Sequence, residues 1–343
     1  MNASRRYAST IQGLPFMEGI HVLGSGSIGL LFASWIRVSF PSYPLTMLVR
    51  PHHGHRLQKE GRKSYLEVSL LAQKRPRMAR VPAQVISDTT TSNIRHLLLA
   101  TKALDASTAL ESVLHRLDKE SSRIIILCNG ALAVKNEIYQ VLKKASLENT
   151  TTITFASTYH GAFLDYGDKD HFYHVTHAGV GKTFVEDDVP LAQLWDQSGL
   201  AATSISSNEM AVVLWQKLAA NCVINPITAL LGCKNGEMSS QAWYHDIVPC
   251  IIQELSNVAL HMCDQDQSTQ LTPDSLTVFV DRVIQDTLAN KSSMYQDILR
   301  QQPTEIDFLN GYVAKLGKER NISTPANQEM CDRIQALTGS WEQ

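Results

Sequence analysis

Gly19-Ile-His-Val-Leu-Gly-Ser-Gly-Ser-Ile-Gly29 constrains this chain more than any other stretch. Ile20, Val22 and Leu23 mark a short β run. Gly24, Gly26 and Gly29 follow as G-x-G-x-x-G, and Leu30, Leu31, Phe32, Ala33, Trp35 and Ile36 then recur with helical period. Strand, glycine turn and helix stand in the order a dinucleotide fingerprint requires. The first glycine permits the tight turn, the second lets backbone approach a pyrophosphate, and the third lets helix pack close to strand. The helix N-terminus then presents N–H groups and its positive dipole end to the phosphates. Gly24, Ser25, Gly26, Ser27, Ile28 and Gly29 are therefore candidate cofactor-binding residues.

The second strand reads as Leu45-Thr-Met-Leu-Val49. A site for the unphosphorylated cofactor usually ends this strand on Asp or Glu. Arg50 stands here instead and suits a 2′-phosphate, so NADP(H) is expected over NAD(H). The histidines of Pro51-His-His-Gly-His-Arg56 read as a solvated loop. Two further segments, Ser64 to Leu71 and Ala83 to Ile86, look like strands in a loop-rich stretch that includes Lys74-Arg-Pro-Arg77. Arg95 to Thr101 is a buried strand ending at Lys102, with helical periodicity from Ala103 to Leu117. Arg123 to Cys128 is another apolar strand; it ends in Asn129-Gly130 and precedes a helix from Leu132 to Lys143. Apolar strands alternating with amphipathic helices argue for a parallel doubly wound sheet. Ligands of such sheets bind at the carboxyl ends of strands, which makes Lys102 and Asn129 candidates for cofactor or substrate contact.

From Thr151 to Glu186 the pattern is β-rich, and its strands could extend the sheet in antiparallel fashion. His171, His174 and His177 are spaced by three, which alternates faces on a strand, so no metal site is expected. Val189 to Ser207 reads as a linker or short helix, with Leu200 to Ile205 as a closing strand. Beyond Asn208 the pattern is helical: Gln241 to Cys263, Pro273 to Ala289, Thr304 to Arg320 and Pro325 to Leu337. The expected fold class is α/β: a flexible tail (1–18), a Rossmann-type dinucleotide-binding domain (19–207) and an all-α C-terminal domain (208–343). The long helix beginning near Asn208 is the expected hinge.

That helix contains Trp215-Gln-Lys-Leu-Ala-Ala-Asn-Cys-Val-Ile-Asn-Pro-Ile-Thr-Ala-Leu230. Its composition is that of a buried helix, yet Lys217, Asn221 and Asn225 recur every four residues. Four residues overshoot one turn by about 40°, so the three polar heads follow one drifting stripe. Amides outnumber charges, which suits the binding of a small polar molecule. A solvated stripe fits the spacing equally well.

A length of 343 residues, 44% hydrophobic, suffices for two domains with sizeable cores. The net charge of −2 offers no basic excess for nucleic acid and no polybasic run for a membrane surface. No apolar run reaches the roughly 18 residues of a membrane span, so no transmembrane helix is expected. Cys128, Cys222, Cys233, Cys250, Cys263 and Cys331 form no C-x-x-C pair and read as reduced core thiols of a cytoplasmic protein. Arg5 and Arg6 with the single acid Glu18 are also compatible with a mitochondrial presequence, and hence with the matrix.

Together these residues resemble the ketopantoate reductase (2-dehydropantoate 2-reductase) family, within the 6-phosphogluconate-dehydrogenase-like superfamily. The resemblance runs in register from about Ile20 to Met330. It rests on the glycine motif, Ala100-Thr-Lys-Ala103, Cys128-Asn-Gly130, the Trp215–Ala229 helix, Cys233-Lys-Asn-Gly-Glu237, Ser292-Ser-Met-Tyr-Gln-Asp297 and Thr304-Glu-Ile-Asp307. The helix pattern K-L-A-x-N-x-x-x-N-P-x-T-A and the S-S-M-x-Q-D…T-E-I-D pair are its specific parts. Long inserts and the tail point to a eukaryotic member.

The resemblance implies that Lys217 is the general acid, Asn221, Asn225 and Asn235 are substrate-binding amides, and Ser293 binds the substrate carboxylate. It implies that Asn129 touches both the nicotinamide end of the cofactor and the substrate. Lys102, Ala162 and Glu305 fall at cofactor-contact positions, and Arg50 where the adenosine 2′-phosphate is read. Judged by the residues alone, Ser293 and Glu305 also fit a helix cap and a first-turn acid, and Ser292 or Thr304 would cap equally well. Two departures stand out: Lys182-Thr-Phe-Val-Glu186 after Gly181, and Ala103-Leu-Asp-Ala-Ser107, which lacks the aromatic often found after the family lysine.

The implied reaction is hydride transfer from C4 of NADPH to the C2 ketone of a 2-oxo acid. It converts ketopantoate to pantoate, in pantothenate and coenzyme A biosynthesis. A lysine ammonium would stabilise the developing alkoxide and deliver its proton. Asparagines suit a hydroxylated substrate because an amide both donates and accepts. Two alternatives stay open: a paralogue reducing another 2-oxo acid, and an NADPH-binding sensor without turnover. The sensor would show a broken Lys–Asn–Ser–Glu set, whereas all four types are present here. The expected partner is a small 2-oxo acid, with neither nucleic acid nor membrane; monomer and homodimer both fit.

Overall fold

The computed structural model describes residues 19–60, 63–72, 75–87, 93–165, 173–263, 265–339 and 341. The expectations for residues 1–18, Lys74 and His171 lie outside these. Two compact units divide the chain: one runs to Cys128 and resumes at Lys135–Ser206, and the other joins Asn129–Val134 to Ser207–Gln343. The grouping of 129–134 with the second unit departs from the continuous 19–207 boundary.

The first unit is built on β1 (Ile20–Leu23), β2 (Leu45–Val49), β3 (Gln58–Glu60), β4 (Lys63–Ala72), β5 (Arg75–Val85), β6 (His96–Leu99), β7 (Ser122–Ile126), β8 (Thr151–Thr158), β9 (Gly161–Asp165), β10 (Tyr173–Gly179), β11 (Thr183–Glu186) and β12 (Ala202–Ile205). They form one sheet in the order β12-β11-β8-β7-β6-β1-β2-β5-β4-β10-β9, with β3 on β4. The run from β8 through β7, β6, β1 and β2 to β5 is parallel. The chain leaves β1 for β2 on one side and later places β6 on the other. This reversal is the topological switch point, where open α/β sheets bind ligands at the carboxyl strand ends. Leu97–Leu99 and Ile124–Ile126 are buried throughout, which explains why β6 and β7 read as continuous apolar runs. Helix α1 (Ser27–Ser39) buries Leu30, Leu31, Phe32, Ala33 and Ile36, and Phe32 meets Trp195 edge to face at 5.0 Å.

Several elements differ from the sequence pattern. Arg75-Pro-Arg77 is not loop but the start of β5, paired antiparallel with β4 from Tyr65 to Ala72. Charge and proline mask the strand, while Ala79, Val81 and Ala83 still alternate into the core. The helix expected over 103–117 is broken into a 3₁₀ turn (Ala103–Asp105), α2 (Ala106–Glu111) and a second 3₁₀ turn (Leu114–Arg116). Arg116 points inward there, 1% exposed, and its Nη2 donates to Gln84 Oε1 at 2.9 Å. Strand β9 was not apparent from the sequence; it pairs antiparallel with β10, whereas β10 runs parallel to β4. Helices α3 (Ala131–Lys144) and α4 (Val189–Trp195) follow β7 and β11 respectively. Asp188 caps α4, accepting from Leu191 N at 2.8 Å.

The second unit holds α5 (Ser207–Leu231), α6 (Ala242–Met262), α7 (Pro273–Asp286), α8 (Ser293–Leu299), α9 (Asn310–Arg320) and α10 (Pro325–Gly339). By length and composition α5 could cross a bilayer. Here Leu218, Cys222, Val223 and Ile227 make it the centre of the unit's apolar core. The helix expected from Thr304 begins only at Asn310, because Leu309 (φ −111°, ψ −101°) interrupts a 3₁₀ turn at Ile306–Phe308. Pro226 lies inside α5 and has no N–H for the carbonyl of Cys222, one turn earlier. Asn310 Nδ2 supplies that donor at 3.1 Å and also donates to Asn327 Oδ1 at 3.1 Å. Asn327 Nδ2 in turn donates to Glu254 Oε2 at 2.9 Å, and Glu254 accepts the backbone N–H groups of Ala326 and Asn327 at 2.8 and 2.9 Å. This buried network ties α5, α6, α9 and α10 around the turn that carries Asn221 and Asn225.

Candidate active site

The glycine turn in the first unit assigns each glycine a separate reason. Gly24 has φ +119°, and a Cβ there would stand 2.5 Å from the carbonyl oxygen of Ala100. A Cβ on Gly29 would stand 2.0 Å from the carbonyl oxygen of Gly24. Both positions exclude any side chain for the protein's own packing. Gly26 is different: it caps α1 in extended backbone (φ −77°), and a Cβ would meet nothing within 4 Å. The open ground lies in front of a first helical turn that carries no acidic residue. By helix geometry, the N–H groups at Ser27, Ile28 and Gly29 have no intrahelical acceptor. A bare cradle of this kind fits a pyrophosphate. Ser25 is part of the same turn.

Arg50 follows β2, and Lys102 stands exposed just beyond β6, at the start of the 3₁₀ turn. Asp105, at the end of that turn, places Oδ2 2.7 Å from Arg50 Nη2, and both side chains are about half exposed (49% and 44% for Arg50 and Asp105). The neighbouring 51–56 segment is not an open loop but a 3₁₀ helix. Within it His53 faces Tyr173 Oη at 3.0 Å. Burial, with His52, Arg56, Arg50 and His55 nearby, pushes the His53 imidazole down to about 4.

Ala162 lies on β9 opposite His177. His177 Nδ1 accepts from Trp35 Nε1 at 3.1 Å, in the second half of α1. The indole can only donate, which leaves His177 Nε2–H to donate to His160 Nδ1 at 2.9 Å. That same nitrogen accepts Gly181 N–H at 3.0 Å, and His160 Nε2 donates to the carbonyl of Leu200 at 2.8 Å. Both rings are therefore engaged by hydrogen bonds within the first unit. Burial lowers the His177 pKa, with His160 adding to the effect.

In the second unit, α5 half-buries Lys217 and Asn221 and buries Asn225. Trp215, two residues before Lys217, stacks on Tyr312 at 6.5 Å. Asn129 and Glu305, distant in sequence, meet: Asn129 Nδ2 donates to Glu305 Oε2 at 3.4 Å. The approach depends on Gly130, whose φ is +62° and whose Cβ would stand 2.8 Å from that of Phe308. Glu305 is buried beside this turn. Asn235 is buried too, and its turn is pinned to the 287–290 segment by Asn235 N to the carbonyl of Asn290 and Gly236 N to that of Leu288, each at 3.0 Å. Asn235 Nδ2 donates to Thr287 Oγ1 at 2.9 Å. Its Oδ1 is buried without a hydrogen-bond partner among the described residues. Ser292, not Ser293, caps α8, accepting from Tyr295 N at 3.0 Å. Thr228 Oγ1 lies 2.7 Å from Ser292 Oγ, which ties the start of α8 to α5. Ser293 itself is exposed.

The pattern of residues did not reveal Asp105, Thr287, Thr228 or Asn310. Only Asn310 had a signal: a proline inside a helix orphans one carbonyl, so a donor had to exist, although its identity was not readable. No cluster of metal-ligating side chains occurs among the described residues.

A dinucleotide cradle at the switch point of a parallel sheet, followed by a helical unit carrying a lysine and amides, defines a two-unit nicotinamide-dependent oxidoreductase. Two family models, "Ketopantoate reductase PanE/ApbA" and "Ketopantoate reductase PanE/ApbA C terminal", match residues 20–188 and 209–338. The chain belongs to the ketopantoate reductase family. The 2-dehydropantoate 2-reductase of Vibrio cholerae serotype O1 is 34% identical over 252 residues, covering 71% of this chain and 78% of that protein. A PanE/ApbA family ketopantoate reductase from Ralstonia eutropha JMP134 superposes with TM-score 0.77 at 21% identity, over 95% of this chain and all (100%) of the other. D-mandelate dehydrogenase, solved with NADH and anilino(oxo)acetate, superposes with TM-score 0.76 at 19% identity, over 95% and 100%.

Proposed function

We propose that this protein reduces ketopantoate to pantoate with NADPH, in pantothenate and coenzyme A biosynthesis. Family membership supports the reaction. The observation that carries the substrate is the buried, unpartnered Oδ1 of Asn235. A buried acceptor left without a donor costs about 1–3 kcal/mol, so the site favours a ligand that brings an O–H. Ketopantoate has that hydroxyl. The fold alone does not select the substrate, since D-mandelate dehydrogenase shares it.

When bound, NADPH supplies the hydride to the ketone carbon. The Gly24–Gly29 turn and the first turn of α1 hold its pyrophosphate, Arg50 its 2′-phosphate, and Lys102 adds positive charge at the neighbouring strand end. Lys217 holds the ketone oxygen, stabilises its developing charge and hands over a proton. Asn221 and Asn225, on the same face of α5, orient the substrate. Ser293 binds its carboxylate, left open to ligand because Ser292 performs the capping. Asn129, oriented by Glu305, completes the polar set. Thr287 fixes the Asn235 amide so that its oxygen, not its nitrogen, meets the substrate hydroxyl. All six cysteines are free, which supports a reducing compartment such as the cytoplasm.

NADPH oxidation with ketopantoate and with 2-oxoisovalerate, which lacks the hydroxyl, tests this reading. We expect kcat/KM to favour ketopantoate by at least ~10², the scale on which polar sites reject analogues missing a partner. Lys217→Ala should lower kcat by ~10²–10⁴ with an unchanged melting temperature. Equal efficiency with both substrates would make the protein a reductase of other 2-oxo acids, and a near-normal kcat in the variant would remove Lys217 from the chemistry.

A further inference from the structure

We propose that Asp105 sets how strongly this protein prefers the phosphorylated cofactor, because the 2′-phosphate must bind Arg50 against the charge of this carboxylate. The inference rests on the reading of the first unit as an NADP(H) site. Asp105 lies in the Ala103-Leu-Asp-Ala-Ser107 stretch that follows Lys102, at the carboxyl end of β6. Its Oδ2 is 2.7 Å from Arg50 Nη2, at the end of β2, which lies beyond β1 in the sheet. The guanidinium that would read a phosphate thus already has an internal counter-anion.

Two effects of opposite sign follow from this contact. As a prop, Asp105 would hold Arg50 in place and help NADPH. As a charge, it would repel an incoming phosphate dianion at close range. Exposure decides between them. Both side chains are about half exposed, at 49% and 44%, and ion pairs of that kind add little fixed orientation. Arg50 also keeps other N–H donors with which to meet a phosphate when one of them is taken. Repulsion therefore outweighs propping. An unphosphorylated ribose feels no such repulsion, and a carboxylate can accept from its 2′-hydroxyl, as the acid ending the second strand does in NAD(H) sites; Asp105 reaches that place from the end of β6 through its contact with Arg50. Arg50 and Asp105 together place both selectors on one ribose position, and the pair narrows the discrimination that Arg50 alone would provide.

Direct binding of NADPH and NADH, followed by nucleotide fluorescence without substrate, tests this. Asp105→Asn should tighten NADPH by about two- to fivefold, the scale of one partly screened charge interaction, and leave NADH unchanged or weaker. In an Arg50→Ala background the gain for NADPH should be larger, because no guanidinium then shields the phosphate from Asp105. An unchanged NADPH-to-NADH ratio in Asp105→Asn, or weaker NADPH binding, would overturn the proposal; the latter would make Asp105 a prop. A wild-type protein that fails to bind NADPH would overturn this inference and the proposed function together. Binding that responds as expected in a protein inactive on ketopantoate would uphold the inference while refuting the substrate assignment.

Discussion

Asn310→Ala probes the support beneath Asn221 and Asn225, the proposed substrate amides. The substitution removes one Nδ2 that serves two buried acceptors, the Cys222 carbonyl and Asn327 Oδ1, each at 3.1 Å. Each buried acceptor left unpaired costs about 1–3 kcal/mol, so the loss should total about 2–6 kcal/mol, reaching the upper end for a single substitution. The origin of the first half of this cost can be isolated. Pro226→Ala restores a backbone N–H at the helix position that bonds Cys222, one turn earlier. In that background the Cys222 carbonyl no longer needs Asn310, and Asn310→Ala should cost only the Asn327 share. The expected coupling between the two sites is therefore about 1–3 kcal/mol, above the roughly 0.5 kcal/mol within which independent sites add. Urea unfolding of the wild type, both single variants and the double variant, followed by far-UV circular dichroism, measures it. KM for ketopantoate should rise in Asn310→Ala and partly recover in the double variant, because Asn221 and Asn225 flank the affected turn. Additive midpoints across the cycle would refute the assignment of Asn310 as the donor that replaces the proline's missing N–H.

Two further outcomes follow from the first unit. Gly26→Ala should fold with stability within about 1 kcal/mol of wild type, as extended backbone with clear space allows, yet bind NADPH more weakly by at least about tenfold. Gly24→Ala should fail to fold, because its φ of +119° and the Ala100 carbonyl forbid the side chain; equal melting temperatures for the two variants would contradict this division of roles. His21, buried in β1, has its pKa pushed from 6.5 to about 4 by burial, with Arg116 and His96 adding to it. The unfolded chain takes up this proton below pH 6.5 but the folded protein only near 4. The contribution is therefore whole above 6.5 and is lost as pH falls from 6.5 to 4, by up to ~3 kcal/mol. Urea midpoints across that range should flatten in His21→Gln, and an unaltered slope in the variant would exclude His21 as the source.

Local signals were sufficient for much of this molecule. The glycine turn is a contest between φ, Cβ sterics and backbone approach within a few residues, so its meaning could be read before any fold was known. The apolar runs of β1, β2, β6 and β7 and the periodic stripes of α6, α7 and α10 carry their burial in the order of their residues. The stripe of Lys217, Asn221 and Asn225 was visible for the same reason. What neighbours along the chain could not decide were pairings made across it. Strand β5 hides behind its charges and prolines until β4 lies beside it. Arg116 interrupts a helical period only because Gln84 waits inside the unit. Asn129 meets Glu305 across 176 residues, Arg50 meets Asp105 between two strand ends, and Asn310 reaches a carbonyl that Pro226 left without a donor. Hydrogen bonds and ion pairs act over a few ångströms whatever the sequence separation, so only the tertiary structure could say which of these polar groups answer to one another.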